Sequence, residues 1–164
     1  MSTAYMEVFE EDFERLEQAL RRLRYDSSAR AVFLIDKNGQ QIAAAGDVDE
    51  FDTTSLASLT AGNVAATDGL AKLIGEREFS VLFHEGQRDH IHISIVASRA
   101  ILLVIFDERS SLGLVRLRVK RASAEMDEIF EDMNQKDNSG PSGQVQPSPF
   151  SEITDEDIDS LFSE

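Results

Sequence analysis

The run Ala31-Val-Phe-Leu-Ile35 constrains the fold more than any other stretch, because a strand that is apolar at every position must be covered on both faces. It therefore belongs inside a layered structure. Asp36-Lys-Asn-Gly39 follows with an Asn-Gly turn signal, and the chain returns through Gln41-Ile-Ala-Ala-Ala45, a weaker strand expected at a sheet edge. Three more strands are predicted at Phe79–Phe83, Ile91–Val96 and Ile101–Phe106. The middle one alternates apolar and polar residues, which implies one less buried face. Ser98-Arg-Ala100 makes a short hairpin connection between the last two.

Helical periods surround these strands. Over residues 6–24, Phe9, Phe13, Leu16, Leu20 and Leu23 recur at helical spacing. Glu7, Glu10, Glu11, Asp12 and Glu14 come early and Arg21, Arg22 and Arg24 late, an order that complements the helix dipole. A second helix is predicted from Phe51 to about Gly75, with Asp52, Thr53 or Thr54 as cap and Gly75 at its end. A third runs from about Ser110 to Met133, with Leu112, Val115, Val119, Ala122, Met126, Ile129 and Met133 as its stripe and Leu114 and Leu117 as a second apolar edge. The order is α-β-β-α-β-β-β-α. It predicts an α/β domain over residues 1–134, built on one mostly antiparallel five-stranded sheet with helices on its faces.

Residues 135–150, rich in Ser, Gly and Pro, read as a flexible linker. Residues 151–164 have a design of their own. Thr154 suits an N-cap, Ile153 and Ile158 fall at the spacing of a hydrophobic staple, and Asp155, Glu156 and Asp157 fill the first turn. Ile158, Leu161 and Phe162 then share one face. So short a helix is marginal alone, so the tail is expected to dock into a groove.

The totals narrow the function. Acidic residues outnumber basic ones 31 to 16, for a net charge of −15, which argues against a nucleic-acid or anionic-membrane partner. No apolar run approaches a membrane span, and the N-terminus lacks the pattern of a signal peptide, so a cytoplasmic location is expected. Cysteine is absent, which removes disulfides and thiolate chemistry. There is no phosphate-binding loop, no dinucleotide fingerprint and no nucleophile elbow. His84, His90 and His92, with Glu85 and Asp89, suggest a metal site only weakly. A Ser94-His92-Asp89 arrangement lacks the context of a triad. No catalytic residue, metal or cofactor is expected.

The second helix is unusual. Ala57, Ala61, Ala65 and Gly69 recur every four residues, while Leu59, Ala66, Leu70 and Leu73 lie on another side and suit the core. Gly62 and Gly69 each cost about 1 kcal/mol against alanine in an exposed helix interior. Close approach of another backbone, expected from a second molecule, would offset that cost.

Phe51-Asp-Thr-Thr-Ser-Leu-Ala-Ser-Leu-Thr-Ala-Gly-Asn-Val-Ala-Ala66 continuing through Gly69-Leu-Ala-Lys-Leu-Ile-Gly75 closely resembles the MglB proteins, bacterial members of the Roadblock family. So do Phe83-His-Glu-Gly86, Ser110-Ser-Leu-Gly-Leu-Val-Arg-Leu-Arg118, Ser148-Pro-Phe150 and Asp157-Ile-Asp-Ser-Leu-Phe-Ser-Glu164. The resemblance implies a Roadblock fold and a homodimer whose sheets pair through edge strands and whose second helices lie together. It also implies a regulator that activates GTP hydrolysis by a small Ras-like GTPase of the MglA type, which acts in bacterial cell polarity and motility. Two protomers would engage one GTPase. On this chain the matching surface is Ala61, Ala65, Asp68, Gly69 and Lys72, serving the GTPase or the dimer, with Ile158, Leu161 and Phe162 docking from the tail. Roadblock activators are understood to hold the GTPase's own switch residues in place rather than to insert an arginine. Arg109 is the best finger candidate on this chain.

Overall fold

The structure, a computed structural model, describes residues 3–138, with side chains described for 10–137. The chain divides into two compact units, Met1–Glu131 and Asp132–Glu164. The sheet and nearly all of its helical cover lie in the first. The tail residues Ile158, Leu161 and Phe162, and the linker beyond Asn138, fall outside the described residues.

The elements are α1 (Thr3–Ser27), β1 (Ala31–Asp36), β2 (Gln41–Gly46), a 3-10 turn at Val48–Glu50, α2 (Thr53–Leu73), β3 (Val81–Glu85), β4 (His90–Val96), β5 (Ala100–Phe106) and α3 (Leu112–Asn138). The order is the one expected. The five strands form one sheet in the order β2-β1-β5-β4-β3, and every neighbouring pair is antiparallel. The two continuous apolar strands, β1 and β5, sit inside the sheet. One face of each packs on α2: Ala31, Phe33 and Ile35 of β1 with Ile101, Leu103 and Ile105 of β5 meet Ala57, Ala61 and Val64. The opposite face, with Val32, Leu34, Leu102 and Val104, is equally sealed. There α1 contributes Leu16, Ala19, Leu20 and Leu23, and α3 contributes Val115, Val119, Ala122, Met126, Ile129 and Phe130.

Several ends differ from the sequence-based expectation. α1 begins at Thr3, so the early acids lie beyond its first turn. Asp12 is fully buried and pairs with Arg15 at 3.2 Å, and Phe13 is 41% exposed despite its place in the stripe. β3 runs two residues later than the apolar run Phe79–Phe83 suggests. The tight connection after it decides this. Gly86 lies so close to Asp89 that a Cβ there would stand 2.3 Å from the Asp89 carbonyl oxygen, which fixes the hairpin end and pairs Glu85 with His90.

Helix ends follow local chemistry. Asp52 caps α2, accepting hydrogen bonds from the Ser55 N–H at 3.2 Å and the Ser55 hydroxyl at 2.8 Å. Gly75, at φ +83°, closes it, with Gly75 N–H donating to Lys72 O and Glu76 N–H to Ala71 O, the paired bonds of a Schellman motif. α1 ends the same way through Ser28 at φ 55°.

The β4–β5 connection turns through Ala97 and Ser98 at φ 55° and 56°, with Arg99 N–H donating to Val96 O. Both central residues occupy the left-handed region without being glycine, asparagine or aspartate, the residues that such turns favour. The Ala97→Asn, Ser98→Gly double variant is therefore expected to gain about 1 kcal/mol, since left-handed backbone costs an L-residue roughly that much. The gain would be read as a higher urea midpoint at constant m. A second expectation concerns Asp52. The Ser55 hydroxyl, then the Ser55 amide, hold its carboxyl below the usual carboxylate range. Its stabilisation is thus present above the ordinary carboxylate pKa and lost as pH falls through the lowered value. Asp52→Ala should lower the melting temperature at pH 7, and the loss should shrink as pH falls below the ordinary carboxylate range.

Candidate partner interface on the second helix

The buried residues of α2 are Ala57, Thr60, Ala61, Val64 and Ala71. At about 100° per residue these fall within one narrow arc. Leu59, Ala66, Leu70 and Leu73 fall on the opposite arc, and they are the exposed ones: Leu59 74%, Leu70 60% and Leu73 83%. The sequence-based expectation has these faces reversed. The small residues face the sheet because the helix lies close upon it. A Cβ placed on Gly39, in the β1–β2 turn, would sit 3.2 Å from the Ser58 Cα and 3.6 Å from both the Ala57 carbonyl oxygen and the Ala61 Cβ. Leucines on this side would hold the helix off.

The stripe of small residues therefore has two parts. A spacing of four residues advances about 40° per step around an α-helix, so the line from Ala57 to Gly69 winds through roughly 120°. Ala57 and Ala61 are sealed against their own sheet, whereas Ala65 and Gly69 have rotated into solvent. Gly62 and Gly69 have nothing within 4 Å of a built Cβ. Of the remaining predicted residues, Lys72 is exposed and Asp68 half-buried. What sequence reasoning missed is the outer apolar face itself, which Ile74, 68% exposed, extends at the helix end. The available signal was the presence of apolar residues on both sides of the helix, the mark of an element covered twice. An exposed patch of this kind points to a protein partner.

Beside α2 lies β3, at one edge of the sheet. His84 on this strand meets Asn63 of α2 at 3.2 Å between Nε2 and Nδ2. Val81 is 44% exposed, and the outer rim of the strand pairs with no other strand among the described residues.

The other candidates separate in space. Phe83 pairs with His92 across β3–β4, so the alternation of the strands puts His84 on the α2 side of the sheet and His90 and His92 on the other. His90 packs against Phe83 and Phe106. Asp89 is engaged by Arg30 at 2.9 Å, so no Ser94-His92-Asp89 relay forms. Among the described residues no cluster of His, Asp or Glu is arranged to hold a metal ion. Arg109 is tied back to Asp107, its Nε reaching Oδ1 at 3.1 Å and its second nitrogen reaching Oδ2 at 3.0 Å. That fork holds the Asp107 carboxyl below its ordinary range and raises the Arg109 guanidinium further. No described helix is long and apolar enough to cross a membrane.

Residues 15–106 match the model of the Roadblock/LC7 domain. Among solved structures, Myxococcus xanthus MglB shares 59% identity and a TM-score of 0.72, covering 74% of this chain and 91% of its own. The chain belongs to the MglB family of Roadblock/LC7 proteins. The MglB gliding protein of Thermus thermophilus shares 35% identity at a TM-score of 0.70, covering 74% of this chain and 92% of its own. An MglB described with a tetrameric arrangement shares 34% at 0.69, covering 74% and 91%. A search of curated proteins finds no match.

The two faces of α2 in this MglB family member should respond oppositely to substitution. At concentrations where the chain is monomeric, Val64→Ser should cost on the order of 1–3 kcal/mol in denaturant unfolding, because it places a hydroxyl in the core. Leu70→Ser should change stability by no more than about 0.5 kcal/mol. Equal losses would place Leu70 inside the subunit.

Proposed function

We propose that this protein is a homodimeric regulator that accelerates GTP hydrolysis by a small Ras-like GTPase of the MglA type, in the cytoplasm and concentrated at a cell pole. The observation that carries the proposal is the unpartnered outer face of α2, Leu59, Ala66, Leu70 and Leu73, in a chain so close to M. xanthus MglB. A cluster of leucines facing water is unfavourable unless a partner covers it. The tetrameric arrangement described for one relative supports assembly between copies.

In this reading the leucine arc seats the twin helix, and the β3 edges pair across the dimer. Ala65, Gly69 and Lys72, on the flank that winds away from the sheet, meet the GTPase, with Asp68 beside them. Ala61 serves from beneath, by letting α2 lie close on its own strands. A smooth flank admits a switch segment whose own side chains orient the attacking water. Positioning of this kind supplies a large part of the barrier reduction in phosphoryl transfer. Arg109, held by Asp107, stays out of the chemistry. The tail residues Ile158, Leu161 and Phe162 dock on the GTPase away from the nucleotide.

The test is phosphate release from a cognate GTPase of the MglA type, with and without the full chain. Ala65→Arg and Gly69→Arg should each return hydrolysis to its basal rate while their unfolding transitions stay cooperative. Arg109→Ala should keep at least half the stimulation. Removing residues 151–164 should weaken binding. No acceleration by the native chain would make it a scaffold, and acceleration surviving both arginine variants would place the contact elsewhere.

A further inference from the structure

β4 carries two polar side chains toward α3 that the fold does not satisfy. His92 is 1% exposed and Ser94 5%. Neither the His92 Nδ1 nor the Ser94 hydroxyl has a hydrogen-bond partner among the described residues. Leaving such groups buried and unpaired is unfavourable, and proteins rarely do so without a use for them. Both lie at the bottom of a groove of about 540 Å³ between the β3–β4 hairpin and α3. Its walls carry Val81, Val119 and Ala124, with the hydroxyls of Ser80 and Ser123 beside them. Its rim is charged in a graded way, with Arg116 and Lys120 toward one end and Asp127 toward the other.

We infer that this groove binds an extended peptide segment of a partner protein, apolar in its middle and carrying a carboxylate at the end that meets Arg116 and Lys120. Three features select this occupant. The stretch of α3 from Arg116 to Asp127 spans about 16 Å, the reach of roughly five residues of extended chain. Burial, and then the nearby Arg116, disfavour protonation of His92. The imidazole therefore meets its ligand neutral, and with the Ser94 hydroxyl it matches the N–H and C=O of a peptide main chain rather than a second charge. The two cations stand out in a chain of net charge −15 and suit a carboxylate. The groove lies across the sheet from α2, away from the GTPase contact proposed above, while Val81 places one of its walls on the β3 edge given there to the dimer.

The experiment is selection of a random peptide display library on the full chain, with the Arg116→Glu, Lys120→Glu variant as counter-target. Native protein should enrich peptides that place Asp or Glu beside apolar residues. The charge-reversed protein should bind them at least tenfold more weakly. Ser94→Ala, which removes an unpaired hydroxyl, should keep its unfolding midpoint and bind the same peptides severalfold more weakly. In NMR spectra the bound peptide should shift the His92 ring signals. Failure to enrich any peptide, enrichment indifferent to the charge reversal, or ring shifts reproduced by inorganic phosphate alone would each overturn the assignment.

Discussion

The close seat of α2 on the sheet is the contact on which the rest depends. Ala57, Ala61 and Val64 fill the arc that faces Phe33, Ile35 and Leu103, and Gly39 lets the β1–β2 turn come up against the backbone of the helix. With mainly alanines, Thr60 and Val64 beneath the helix, and Leu56 packing from its flank, helix and sheet gain contact through proximity more than bulk. The same economy leaves the larger side chains of α2 on its outside. An apolar outer face is then a consequence of how the inner face is packed, and the binding surface and the core are two sides of one choice of residues.

Charge organises the ends of the sheet. Arg30 reaches both Glu50 and Asp89 and lies over the Phe51 ring at 5.2 Å from its centroid. It thereby links the entry to β1, the segment leading into α2, and the β3–β4 connection. Arg24 approaches Asp47 at 3.6 Å from the end of α1. These pairs are partly solvated, and their individual contributions are modest. Their value lies in registering segments that are distant along the chain. Arg109 belongs to the same group: an arginine just after a strand reads as available from sequence, but its fork is closed on Asp107 two residues earlier.

The strands and helices were legible because their periods are unambiguous. β1 and β5 are apolar at nearly every position and could only be central, whereas the alternation in β4 misleads: its polar side, with His92 and Ser94, is buried as deeply as its apolar one, because α3 covers it. Gly75 marked the end of α2 through chemistry that acts within a few residues, and of the three cap candidates Asp52, Thr53 and Thr54 the structure selects Asp52. The start of β3 was not legible, because Phe79 two residues before Val81 reads locally as the first residue of the apolar run, whereas the hairpin end is set by the approach of Gly86 to Asp89. The orientation of α2 reads in reverse because hydrophobicity alone assigns the leucines inward. The available depth beneath the helix, which excludes them, belongs to the assembled layers.

The sequence by itself determined the class of elements, their order, the glycine at the end of α2, and the acidic balance that disfavours nucleic acid as a partner, since each follows from neighbours along the chain or from simple totals. Only the tertiary structure decided which arc of α2 is sealed, that Ala57 and Ala61 part company with Ala65 and Gly69, and that His84 lies across the sheet from His90 and His92. It also decided that His92 and Ser94 are buried without partners among the described residues. These are outcomes of distances between segments far apart in the chain, and a linear pattern holds no record of how closely two surfaces will approach.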